Sequence, residues 1–360
     1  MAAEKKRNGK IEFLRFVFAA VIVIFHSETI MVNKKAVIMF SGRMACEFFF
    51  LVSGYLMAAT AQKLLTQGSK LNLGRETEKF IWRKYCSLYP AVIVGDVAFL
   101  VVHCSIYGYS LMKTARTFIS STPCFFLFHY TGIHTARINE TWFLSVMIIS
   151  MAVLFPLLLR HHGIMRRVGS LLIGSIILGY LMITTGDLRN PDGLIANLIY
   201  KGTLRGFAEI CLGIFAYEMC QELRNIKFTK PGRWLVTFAE AALYCAIFAY
   251  MLFHRASKFD YYVVYLLLAA VAVSFSDVSF GGAFFNRKIF CFLGKSSLYI
   301  YLSHTAAKKC IGHIASDSWE NPLRMASYLA LTVVFTAVVW GTSVLVRRGF
   351  LPLKKQFISA

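Results

Sequence analysis

Apolar stretches of about 18 to 22 residues recur from one end of this chain to the other, each long enough to cross a hydrocarbon core of about 30 Å as a helix. Lipid offers no partner to a backbone N–H or C=O, so segments of this kind must satisfy their hydrogen bonds internally, as helices. Only 16% of the residues are charged, where soluble domains carry about 25%, so there is too little polar surface to face water all round. The fold class expected is all-α: a polytopic membrane helix bundle of about ten transmembrane helices. The spans fall near 11–31, 38–61, 88–107, 141–159, 168–185, 203–221, 235–253, 260–276, 289–307 and 325–346. The stretch 113–137, apolar only around Phe125 to Phe128, reads as a re-entrant or interfacial piece.

Residues 1–360 read as one transmembrane domain, with a basic N-terminus over 1–10 and a basic tail over 347–360. Loops on the N-terminal side hold more Lys and Arg than those opposite, which places both termini in the cytoplasm of a cell (inner or plasma) membrane. The net charge of +21 is then accounted for by loops at an anionic membrane surface, and no basic-aromatic module points to nucleic acid. Lys5, Lys6, Arg7 and Lys10 before the first span resemble a signal peptide, but no small-residue cleavage site follows. No Cys-x-x-Cys occurs, and His161-His162 has no third ligand nearby, so no metal site is expected.

Within the first span Arg15 and His26 are separated by ten residues. Eleven helical steps of about 100° come to three turns plus about 20°, so both side chains share one face, roughly 16 Å apart along the axis. Each has a bland reading, Arg15 as a snorkelling anchor and His26 as an interfacial residue. Snorkelling does not require register, however, and ionisable groups stacked on one face of a membrane helix are costly unless they line a polar interior. Span two adds Glu47 and Gly54, seven apart on one face, with Ser53 beside them. A carboxylate at His26 would fix its tautomer and raise its basicity; Ser53-Gly54 serves either as a bare backbone patch or as close helix packing. Arg205 and Glu209, four apart, are placed for an internal ion pair.

The run Arg-x10-His followed by Glu47-Phe-Phe-Phe-Leu-Val-Ser-Gly-Tyr55 resembles acyltransferase family 3, the integral membrane O-acyltransferases. Thr141-Trp142-Phe143-Leu144-Ser145 is similar to the family's Trp-containing motif, Gly206 to Ile214 to its Gly-containing span, and Leu293-Gly294-Lys295-Ser296 on to Tyr301 and His304 to its late signature. There are departures: Arg-x-x-Arg before Tyr-Pro is replaced by Lys84 and Ser87 ahead of Tyr89-Pro90, and Met147 lies two residues after Ser145 where many polysaccharide-modifying members have a Glu after the Ser. The resemblance implies an O-acetyltransferase using acetyl-coenzyme A, or another acyl-coenzyme A, as co-substrate, with no tightly bound cofactor, and a hydroxyl of a cell-surface polysaccharide or glycolipid as acceptor. On that reading His26 is the general base or an acyl relay, with Glu47 orienting it and Arg15 completing the catalytic set. Arg15, Arg83, Lys84, Ser53 and Gly54 hold the coenzyme, and Trp142, Tyr301 and His304 the acceptor. The rival reading is a transporter or flippase of a lipid-linked glycan or small metabolite, its polar pairs lining a path; no internal repeat supports it.

Overall fold

The computed structural model describes residues 8–32, 38–67, 71–131 and 141–359, with side chains described as far as Gly349. Helix α1 (Gly9–His26) is started by Asn8, whose side chain accepts from the backbone of Lys10 and Ile11, and two short 3-10 turns lead to α2 (Ala45–Leu65). Next comes α3 (Leu73–Ile106), which is capped by Asn72 and runs through Pro90. It begins well before the expected span at residue 88, because 73–87 form its polar first turns. Two short helices follow, α4 (Leu111–Ser120) and α5 (Thr122–Phe125). Leu111, Met112 and Ile119 on α4 are exposed, so the described part of 113–137 is a surface piece that does not cross; residues 132–137 lie outside the described residues.

The second half continues with α6 (Trp142–Arg160), α7 (His162–Ile164) and α8 (Ser170–Thr185), the last two joined by a π turn into one segment. Gly186 ends α8 in the left-handed region, at φ +72°. A two-stranded antiparallel hairpin, β1 (Leu194–Ile195) with β2 (Ile199–Tyr200), leads into α9 (Lys201–Asn225). Then come α10 (Lys230–Phe253), α11 (Phe259–Ser276), α12 (Gly282–Phe285), α13 (Lys288–Ile314) and α14 (Asn321–Ser359). Among the described residues eight helical segments are long and apolar enough to cross a membrane. The other two long helices, α9 and α13, correspond to expected spans six and nine; their polar residues lower their hydropathy. The architecture is the all-α polytopic bundle that the apolar pattern implied.

Helices α2, α6 and α11 are largely enclosed, while α8, α10 and α14 bury only a minor part of their surface and turn side chains such as Ile183, Leu235 and Val333 outward. Apolar exposure on that scale suits lipid rather than water. The tightest crossing is α2 on α9: a Cβ on Gly54 would lie 2.1 Å from the Ile210 carbonyl, and one on Gly213 would lie 2.2 Å from that of Leu51. Bare glycines on both helices bring the backbones into contact. At the crossing of α1 and α13, Gly294 likewise leaves room for Glu12. Gly294 is thus a helix-packing position within α13.

Candidate functional site

Three cavities run in sequence through the bundle. The first is bounded by the C-terminal half of α2 and the N-terminal turns of α3, has a volume of about 270 Å³, and is lined by Lys79, Arg83 and Lys84. The second, about 140 Å³, is narrow and mainly apolar, with Arg15, Ser53, Lys84, Ser297 and Tyr301 in its wall. The third, about 550 Å³, lies at the opposite end of α1 and includes His26, Arg43, Trp142, Arg189, Arg205 and Arg255. Leu56 and Lys84 line both the first and second cavities. Ile22 and Cys46 line both the second and third. The shared face of α1 expected from the spacing is therefore real, but Arg15 and His26 open onto two adjoining cavities with Ile22 as common wall, rather than one slot.

His26 is the last residue of α1. Its ring lies 5.1 Å, centroid to centroid, from that of His304 on α13. His304 is fully buried, and its Nδ1–H donates to the Tyr301 carbonyl at 2.5 Å. A carbonyl only accepts, so Nδ1 carries a proton; Nε2 is buried with no hydrogen-bond partner of its own. The ring of Tyr301 is 5.7 Å from that of His304. One face of α13 thus supplies Ser297 and Tyr301 to the narrow cavity and His304 to His26.

The sequence-based roles divide accordingly. Arg15 lines the narrow cavity, with Nη1 3.5 Å from Glu12 one turn earlier; since His26 opens onto the next cavity, Arg15 is not part of a catalytic pair with it. Arg83 and Lys84 line the first cavity together, and Lys84 reaches the second. Ser53 borders the narrow cavity and donates to the Met147 sulfur at 3.2 Å. Gly54 is a correction: it is spent on the α2–α9 crossing and borders none of the three cavities. Trp142 borders the His26 cavity with its ring 5.5 Å from the Arg205 guanidinium. Ser87, in place of the second Arg, donates its hydroxyl to the Lys84 carbonyl at 2.7 Å, while Arg347 from α14 donates to the Ser87 carbonyl at 3.0 Å.

Glu47 is the second correction. It does not orient His26; it is fully buried and paired to Arg205, Nη2 to Oε1 at 2.6 Å and Nε to Oε2 at 3.1 Å. The expected Arg205–Glu209 pair is also present, at 3.4 Å, and Arg205 Nη1 donates to the Leu188 carbonyl at 2.7 Å. One guanidinium therefore ties α2, α9 and the loop after α8 together. The reason is geometric: Glu47 lies in the first turn of α2, against α9, while His26 faces α13.

Sequence reasoning missed three groups. His129 is buried between two hydroxyls, Nδ1 at 2.8 Å from Ser145 and Nε2 at 3.0 Å from Thr141, and so pins the loop before α6 to its start. Arg43, Arg189 and Arg255, from three separate loops, converge on the His26 cavity. Cys46, adjacent to Glu47 in the motif, is a wall of two cavities. Their positions beside span ends gave only a weak signal, since charged loop residues are normally solvated. No group of His, Cys, Asp or Glu suited to a metal occurs among the described residues.

The sequence profile of the acyltransferase domain family matches residues 8–341, nearly the whole chain. No curated protein and no solved structure matches the chain. A helical bundle whose motif residues converge on adjoining interior cavities, fitted by that profile over nearly its full length, belongs to acyltransferase family 3 and is a membrane acyltransferase.

Proposed function

We propose that this acyltransferase takes an acetyl group from acetyl-coenzyme A on the cytoplasmic side of a cell inner membrane and transfers it to a hydroxyl of a cell-surface polysaccharide or glycolipid held in the His26 cavity. The observation that carries this reading is the adjacency of the three cavities, which share Leu56 and Lys84, then Ile22 and Cys46, as lining residues. Lys79, Arg83 and Lys84 meet the phosphates of the coenzyme. The pantetheine arm follows the narrow cavity past Arg15, Ser53 and Tyr301, and the thioester arrives at the Ile22–Cys46 wall beneath His26.

A glycan hydroxyl is far too weak an acid to attack unaided, so a positioned base is needed. The His26 imidazole takes the hydroxyl proton as the oxygen attacks the thioester carbonyl. The C–S bond then breaks, the ester C–O bond is formed, and the coenzyme A thiolate recovers the proton from His26. His304, held by the Tyr301 carbonyl, sets the orientation of the His26 ring in the role first expected of Glu47. With purified protein in nanodiscs and radiolabelled acetyl-coenzyme A, His26→Ala is expected to lose transfer by about 100-fold or more while still binding coenzyme A. Arg15→Ala with Lys84→Ala is expected to raise KM for the donor. Undiminished transfer by His26→Ala overturns the assignment, and mass spectrometry of envelope glycans with and without the protein identifies the acceptor by the lost acetyl ester.

A further inference from the structure

We infer that the acceptor carries an anionic group, a carboxylate or a phosphate ester, near the hydroxyl that is acylated, and that Arg255, Arg189 and Arg43 bind it. This rests on the acyl-transfer reading above and names the acceptor's chemistry. Four arginines and a single acid, Glu28, line the His26 cavity. The carboxylates that neutralise three of these arginines are not part of that lining. Asp260 is fully buried behind Arg43, with Nη2 to Oδ2 at 2.6 Å; Glu47 and Glu209 are fully buried behind Arg205; Asp187 holds Arg189 at 2.8 Å. The wall is thus polarised, with guanidinium groups towards the cavity and carboxylates away from it, so an anion inside meets positive charge first.

Two donors are left over. Arg255 makes no ion pair among the described residues, resting 5.6 Å over the Phe40 ring, and Arg43 Nε is buried with no hydrogen-bond partner. A sugar hydroxyl can accept from either, but only an anion also balances the charge of the exposed Arg255. A planar guanidinium matches a carboxylate or phosphate through paired hydrogen bonds, and Trp142 and Phe25 in the same wall offer aromatic faces to the sugar ring.

The test uses the full chain in nanodiscs with radiolabelled acetyl-coenzyme A. Acceptors of the gluco, galacto and manno series are offered in three forms: neutral methyl glycoside, methyl glycoside of the uronic acid, and sugar 1-phosphate. At least one anionic form is expected to exceed its neutral counterpart about tenfold or more in kcat/KM. Arg255→Gln and Arg189→Gln should each cut that preference several-fold while coenzyme A binding persists. The uronate and phosphate arms separate an acidic sugar from a sugar phosphate. Equal use of neutral and anionic forms, or a preference that survives both substitutions, overturns the inference. So does a chain that binds coenzyme A yet neither acylates nor binds any anionic form. Failure to bind coenzyme A at all sinks the acyl-transfer reading instead.

Discussion

Removing Arg205 should destabilise this protein far more than removing the charge of Glu47. Arg205 faces two carboxylates, 2.6 Å from Glu47 and 3.4 Å from Glu209, all three side chains being almost completely buried. Arg205→Met keeps the volume but leaves two carboxylates close together without a counter-charge and strips the Leu188 carbonyl of its donor. Breaking a buried pair costs about 3–5 kcal/mol, and the orphaned carbonyl adds about 1–3 kcal/mol. Glu47→Gln is milder, because the guanidinium keeps Glu209 and the amide oxygen still accepts; the loss is about 1–2 kcal/mol. Glu209→Gln introduced into Arg205→Met relieves part of the repulsion, so the double variant should regain about 1 kcal/mol or more over Arg205→Met alone. Denaturant-titrated unfolding of the purified chain in mixed micelles measures all three variants against the unsubstituted chain. An effect of Glu47→Gln as large as that of Arg205→Met, or a double variant no more stable than the single one, would refute the one-cation, two-carboxylate account.

Other outcomes follow from separate parts of the bundle. Gly54→Ala puts a Cβ 2.1 Å from the Ile210 carbonyl and should cost about 3 kcal/mol through overpacking. Gly179→Ala meets nothing within 4 Å and should be neutral or stabilising by up to about 1 kcal/mol; the same unfolding titration compares them. His304→Gln should lower kcat more than it changes KM for acetyl-coenzyme A, and Glu47→Gln should leave transfer within a few-fold; the reverse order in steady-state kinetics would restore Glu47 as the orienting residue. At Asp187, burial works to raise the carboxyl, but the Arg189 hydrogen bonds and the Lys201 charge outweigh it and hold it below the usual carboxylate range. Its folded value being the lower one, its contribution is in place above about pH 4 and is lost as pH falls through that folded value. Asp187→Asn should therefore flatten the acid limb of a stability-against-pH curve.

Much of this was legible in the chain itself. Apolar length and the cost of unpaired backbone in lipid dictate a helical bundle whatever the tertiary details, and helical period alone puts Arg15 and His26 on one face of α1. The spacing of Ser297, Tyr301 and His304 likewise fixes a common face of α13, and the i,i+4 spacing of Arg205 and Glu209 fixes their pairing. What periodicity cannot state is which helix lies opposite a given face. Glu47 went to Arg205 and not to His26, and Gly54 to Gly213 and not to a ligand, because α2 crosses α9 at backbone contact. The gathering of Arg43, Arg189 and Arg255 about one cavity depends on three loops far apart in sequence arriving at the same end of the bundle. Such convergence is a property of packing, set by side-chain volumes summed over many helices, and no single segment of the sequence encodes it.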